Sequence, residues 1–134
     1  MASSRISTGI TWAAASSITT TSTTIQWSDA FTYNIEDWDA EILCKTLNNG
    51  TPASGDTASW YVAYSTDGGT TYATSEFSEF LMLLDTYAAD TPGENPSARS
   101  APLRTAAAML KIGVQAGSAT SMTHSASIET HRPQ

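Results

Sequence analysis

Residues 57–72 read TASWYVAYSTDGGTTY, and the first half of that stretch decides the class of fold. Ala58, Trp60, Val62 and Tyr64 recur at every second position, the period of a strand with one face buried. Ser65 to Tyr72 then supplies a turn, because Gly68 and Gly69 accept backbone angles closed to other residues. Thr70 to Thr74 is expected to return as the second arm of a hairpin.

The same alternation continues in both directions. Trp38, Ala40, Ile42 and Cys44 are expected to share one face, ahead of an Asn48-Asn49-Gly50 turn and the loop TPASGD at 51–56. Ala106, Ala108, Leu110, Ile112 and Val114, then Met122, His124, Ala126 and Ile128 after Gly117-Ser118, predict a second hairpin that carries the C-terminal residues. Residues 77–87 fit a helical stripe (Phe77, Phe80, Leu81, Leu84, Tyr87) and also a strand (Phe80, Met82, Leu84); the strand suits the all-β surroundings. The proline-rich stretch 88–102 reads as a long exposed loop. Ile18, Ile25 and Trp27 punctuate a Ser/Thr tract, giving the first paired strands over 17–33, bent at Ser28-Asp29.

Together these predict about seven or eight short strands in an antiparallel β-sandwich, jelly-roll or immunoglobulin-like, spanning 17–134. Residues 1–16 are expected to form an extended N-terminal arm. It is polar, but Ile6, Ile10 and Trp12 give it apolar points suited to anchoring on a partner. Trp60 and Trp38 are expected in the core.

At 134 residues the chain is one domain. Six Lys+Arg against thirteen Asp+Glu leave a net charge of −7, which argues against nucleic acid and anionic membranes as partners. Only 14% of residues are charged, against about a quarter in ordinary domains; serine and threonine fill the difference. No apolar run approaches the ~18 residues of a membrane span, and neither a secretion signal nor a lipid anchor is expected. The single cysteine, Cys44, excludes an internal disulfide and reads as a buried, inert thiol.

Ser65, Asp67, Gly69, Thr71 and Tyr72 resemble the Asp-box, S-x-D-x-G-x-T-W, with tyrosine in the last place. In sialidases this motif repeats around a propeller, away from the catalytic pocket. A single copy in a chain this short implies a structural turn and not an enzyme. Asp67 is expected to accept N–H groups across the turn, with Tyr72 packed over its base.

The remaining chemistry-bearing residues are sparse. Glu36, Asp37, Asp39 and Glu41 lack the spacing of a calcium loop and read as a solvated strand edge. His124 and His131 fall on opposite faces of one strand and cannot share a metal; the first is expected half-buried and the second exposed. Asn49-Gly50-Thr51 matches a glycosylation sequon but reads as a turn. No catalytic constellation, metal site or cofactor is expected.

A small acidic Ser/Thr-rich sandwich with such a hairpin is similar to the β-sandwich proteins that decorate capsids of tailed bacteriophages. That resemblance implies a non-enzymatic virion protein, a decoration or cement protein that stabilises the particle through protein–protein contacts. Its partners would be the major capsid or other virion proteins, with self-association as a dimer or trimer. A carbohydrate- or receptor-binding module, or a tail, neck or baseplate component, is the alternative. Exposed aromatics on one face would favour sugar binding; an ordered arm packed on another chain would favour cement.

Overall fold

The computed structural model describes residues 3–34, 36–65, 67–73, 78–87, 96–105 and 109–133, with Ser3 and Ser4 as backbone only. These form β1 (Ser3–Gly9), β2 (Ile18–Thr20), β3 (Gln26–Trp27), β4 (Phe31–Thr32), β5 (Asp39–Asn48), β6 (Thr57–Ser65), β7 (Glu79–Asp85), β8 (Ser97–Pro102), β9 (Met109–Ala116) and β10 (Met122–Pro133). There is no helix among the described residues.

Two antiparallel sheets result. The first runs β1-β10-β5-β8, with β2 beside β1 on the same flank of β10; the second runs β3-β9-β6-β7, with β4 beside β3 on the flank of β9. Counting each broken edge as one ribbon, four ribbons face four. An immunoglobulin sandwich sets its sheets as ABED and CFG. Here the first strand pairs with the last, and most connections cross between sheets, so the sandwich is a jelly roll.

Local sequence accounts for the elements. β5 and β10 alternate strictly, with Ala40, Ile42, Cys44, Thr46 and Asn48 turned inward on one, and Met122, His124, Ala126, Ile128 and Thr130 on the other. Trp60 is fully buried at the centre, where Trp12 meets it edge-on with ring centroids 6.3 Å apart. Between β3 and β4 the chain bends at Ser28, whose hydroxyl accepts from the Ile112 N–H at 2.8 Å and stands in for the interrupted ladder.

Several expectations are corrected. The N-terminal arm is instead β1, paired with β10 from Ser3–Pro133 to Gly9–Ser127; its polar sequence suits an edge strand with one wet face. The expected hairpin of residues 58–74 does not form. The antiparallel neighbours of β6 are β7 and β9, and among the described residues the turn returns one backbone bond to β6, Ala73 N–H to Tyr64 C=O at 3.2 Å. β9 and β10 are not a hairpin either: they lie in opposite sheets. Trp38 lies just before β5 and is 58% exposed. Of the ambiguous 77–87 stretch, 79–85 is the strand β7. A bulge pairs Trp60 with Met82 but Tyr61 with Phe80, so Leu81 is the extra residue and Phe80 turns outward. Of the 88–102 loop, Ser97–Pro102 is β8 and 88–95 lies outside the described residues, as do 106–108.

Candidate functional site

The residues expected to grip a partner are instead structural. Ile10 and Trp12 are 3% and 4% exposed, and Ile10 donates its N–H to Ala126 C=O at 2.9 Å. Ile6 is half-buried opposite Thr130. Trp12 and Ala15 close a tight turn whose middle residues, Ala13 and Ala14, adopt φ of 49° and 67°, a conformation that costs non-glycine residues energy. Asp29 holds it: one carboxylate oxygen accepts from the Thr11 hydroxyl at 2.7 Å and the Ala14 N–H at 2.9 Å. Those bonds, Thr11 first, keep the Asp29 carboxyl below its ordinary range. The burial of Ile10 and Trp12 corrects their reading as partner-binding residues.

The residues that resemble an Asp-box do come together. Asp67 accepts from the Ser65 hydroxyl at 2.8 Å, the Thr71 N–H at 2.9 Å and the Thr71 hydroxyl. Ser65 accepts the Gly69 N–H at 2.9 Å. The Thr71 hydroxyl first, then its N–H and Ser65, pull the Asp67 carboxyl down to about 2. Gly69 has φ of 92°, and a methyl there would lie 2.8 Å from the Met109 sulfur. Tyr72 sits under the Lys111 ammonium, 4.8 Å from ring centroid to Nζ. Among the described residues, the Ser65 and Asp67 side chains are spent on bonds inside the turn.

Two buried polar groups have partners that the sequence did not reveal. His124 is fully buried, not half-buried, between the Thr20 and Thr46 hydroxyls, each 3.0 Å from a ring nitrogen. Burial lowers its pKa to about 4, so the imidazole is neutral. Asp56 ties one end of the sandwich together. It accepts from Asn48 and the Ala53 N–H at 2.9 Å, Ser118 at 3.0 Å and Thr120 at 3.1 Å, while its carbonyl accepts the Thr86 hydroxyl at 2.7 Å. Burial alone would raise the Asp56 pKa; the hydrogen bonds overcome it, and the net shift is downward. Only the hydrogen-bonding capacity of a Ser/Thr-rich corner hinted at this in sequence.

Near the opposite end, β1 and β4 flank a cleft of about 510 Å³ lined by Thr8, Ile10, Phe31, Tyr33, Asp37 and Arg132, among others. The Asp37 side chain is almost wholly buried, with Oδ1 2.8 Å from Arg132 Nε; the two charges are apposed without hydrogen-bond alignment. The Tyr33 hydroxyl is buried without a hydrogen-bond partner among the described residues, and burial first, then Tyr64 and Asp37, push its pKa up. Thus the acidic 36–41 stretch is dispersed: Asp37 to Arg132, Asp39 to His131 at 3.3 Å, and Glu41 on the outer face opposite Glu129. His131 is partly covered by Trp38, with ring centroids 5.6 Å apart.

The two outer faces differ. On the first sheet, Leu43 and Leu47 are 45% and 37% exposed among small uncharged neighbours, Ser127 and Ser100 beside Leu43, Thr123 beside Leu47. Leu43, Lys45 and Ser125–Ser127 border a shallow depression of about 160 Å³. Carboxylates gather at one end, where Glu129 pairs with Arg5 and Asp39 lies beside the His131 ring. On the second sheet, one cross-strand row reads Trp27–Gly113–Tyr61–Phe80, each residue paired with the next. The signal for this row was Gly113, a lone glycine inside an alternating strand, which marks a close approach. A methyl there would meet the Trp27 ring at 2.8 Å.

No protein-family model and no curated protein sequence matches the chain. Among solved structures it is similar to the Clostridium thermocellum endo-1,4-β-D-xylanase 10B CBM22-1–GH10 modules complexed with xylohexaose, with TM-score 0.53 and 14% identity over 81% of this chain. The chain spans 19% of that xylanase chain. It is also similar to a chain of the acidic stable capsid of Helicobacter pylori bacteriophage KHP30, with TM-score 0.48 and 11% identity over 99% of this chain and 100% of that one. For infectious bursal disease virus Gx strain the values are 0.47 and 12%, over 98% and 32%. At these identities the likeness is one of fold.

Proposed function

We propose that this chain is a virion structural protein, a capsid decoration or cement protein that works through contacts made by the outer face of its first sheet. The observation that carries the reading is the composition of that face. Its middle exposes Leu43 and Leu47 among serine, threonine and alanine, with Lys45 the one charge there among the described residues. Its ion pair, Arg5–Glu129, stands at one end. Protein contact surfaces have this arrangement, depleted of charge at the centre and polar at the edge. A standard contact takes about 800 Å² from each partner, roughly a tenth of the 7149 Å² surface of this chain.

The partners are the major capsid protein or other virion proteins, with self-association as a dimer or trimer. The role is non-enzymatic and the location is the virion. Particles purified from the source should carry the chain in their shell. The double substitution Leu43→Glu, Leu47→Glu should leave the melting temperature unchanged and abolish attachment. Absence of the chain from purified particles, or wild-type occupancy by the double variant, would overturn the reading.

A further inference from the structure

We propose that the row Trp27–Tyr61–Phe80 on the outer face of the second sheet is a stacking platform for a linear glycan, a binding function separate from the first-sheet contact. Three observations point there. Cross-strand register places the three rings on one line across β3, β9, β6 and β7, with Gly113 as the gap over which Trp27 lies. Neighbouring strands are about 4.8 Å apart, comparable to one pyranose unit, and because Tyr61 and Phe80 stand 73° apart the sugars laid across them would follow a twisted line rather than a flat one.

The rings are also fixed before any ligand arrives. Tyr61 and Phe80 meet edge-on at 5.8 Å. Trp27 is wedged against Gly113. Gln115 donates to Thr23 C=O at 2.8 Å and accepts the Tyr61 hydroxyl at 3.4 Å. Prior ordering removes much of the entropic cost of a weak stacking ligand. Phe80, at 60%, is the most exposed of the large hydrophobic residues among those described, and the bulge in β7 is what turns it outward.

Charge selects the occupant. The chain carries a net charge of −7, yet the columns on either side of the row hold Ser59, Gln115 and Leu83 on one side, Ala63 and Lys111 on the other. Among the described residues no carboxylate stands there. A neutral glycan, or one bearing carboxylates, fits a platform whose single charge is a lysine; a cationic ligand does not.

The test is titration of the intact chain with linear β-linked hexaoses (cellohexaose, chitohexaose) and a uronic-acid hexaose, followed by intrinsic tryptophan fluorescence and calorimetry. At least one should bind. Phe80→Ala, at an exposed site, should weaken that binding by about tenfold or more without lowering the melting temperature, and Trp27→Phe should remove the fluorescence change. Failure of all three glycans to bind, or binding unchanged in both Phe80→Ala and Tyr61→Ala, would overturn the proposal. So would a wild-type oligomer that Phe80→Ala converts to monomer, since the row would then be a protein contact. Leu43→Glu, Leu47→Glu should bind glycan normally, which keeps this outcome independent of particle attachment.

Discussion

Trp60 and Trp12 are both tryptophans in the core, yet only one could be read from sequence. Trp60 lies on an unbroken period-two face, so its burial follows from neighbours two residues away. Trp12 lies between Thr11 and the alanine run 13–15, and its packing partner is 48 positions further on (Trp60). No local pattern separates a core residue at a sheet edge from an anchor on a loose arm. Truncation of either to alanine should cost about 3–5 kcal/mol, and chemical denaturation would measure it; an unchanged midpoint for Trp12→Ala would restore the arm. His124 gives a pH prediction. Its pKa falls from 6.5 to about 4 on folding, so between those values the unfolded chain binds a proton that the folded one does not. Stability is fully present above about pH 6.5 and lost as the pH falls toward 4, by up to a few kcal/mol. Urea midpoints across that range should slope in the wild type and flatten in His124→Gln; equal slopes would assign the loss to other groups. Ala14, at φ 67°, should prefer glycine: relief of about 1–2 kcal/mol of strain, less the entropy glycine adds to the unfolded chain, predicts a small rise in melting temperature for Ala14→Gly. A fall would show that the Asp29 clamp depends on the alanine.

For the elements, alternation revealed that strands exist and which face of each is buried, but not which strand pairs with which. Met109–Ala116 and Met122–Pro133 carry the pattern of a hairpin, yet the short connection turns a corner between sheets. Inward-facing residues alternate identically in either case, so the pattern cannot distinguish them. The turn at 65–72 misled in a related way: the bonds among Ser65, Asp67 and Thr71 form as their residue types require, but a self-contained turn does not fix the course of the chain beyond it. β1 was missed because SSRISTG satisfies an edge strand through its backbone rather than its side chains. Deleting residues 1–16 should therefore unfold the domain, since it uncovers one flank of β10 and removes Ile10 and Trp12. A cooperative transition retained in the truncated chain would show that the sandwich closes without it.

The whole molecule is organised by pairings that span the sequence, and these were the least legible part of all. Both candidate faces depend on them: Leu43 has its small neighbours only because β10 and β8 flank β5, and Tyr61 meets Trp27 only across β9. Leu43 and Leu47 break the polar side of their strand in the sequence itself, but the strands that flank them, and those that bring Tyr61 to Trp27, cannot be read there. Non-local pairing also slows folding, because loop closure precedes the contacts that reward it; refolding in milliseconds to seconds is expected, and a microsecond phase carrying the full amplitude would contradict this topology.

The antiparallel pairing of Ser3 with Pro133 has a mechanical meaning. A force applied between these residues acts across the β1–β10 ladder and loads its outermost hydrogen bond alone, then the next. The sheet is opened like a zipper rather than sheared along its length. Pulled through positions 3 and 133, the domain should yield at low force; gripped on the outer face at positions 43 and 47 and held there, it bears load across the strands while that seam stays unstressed.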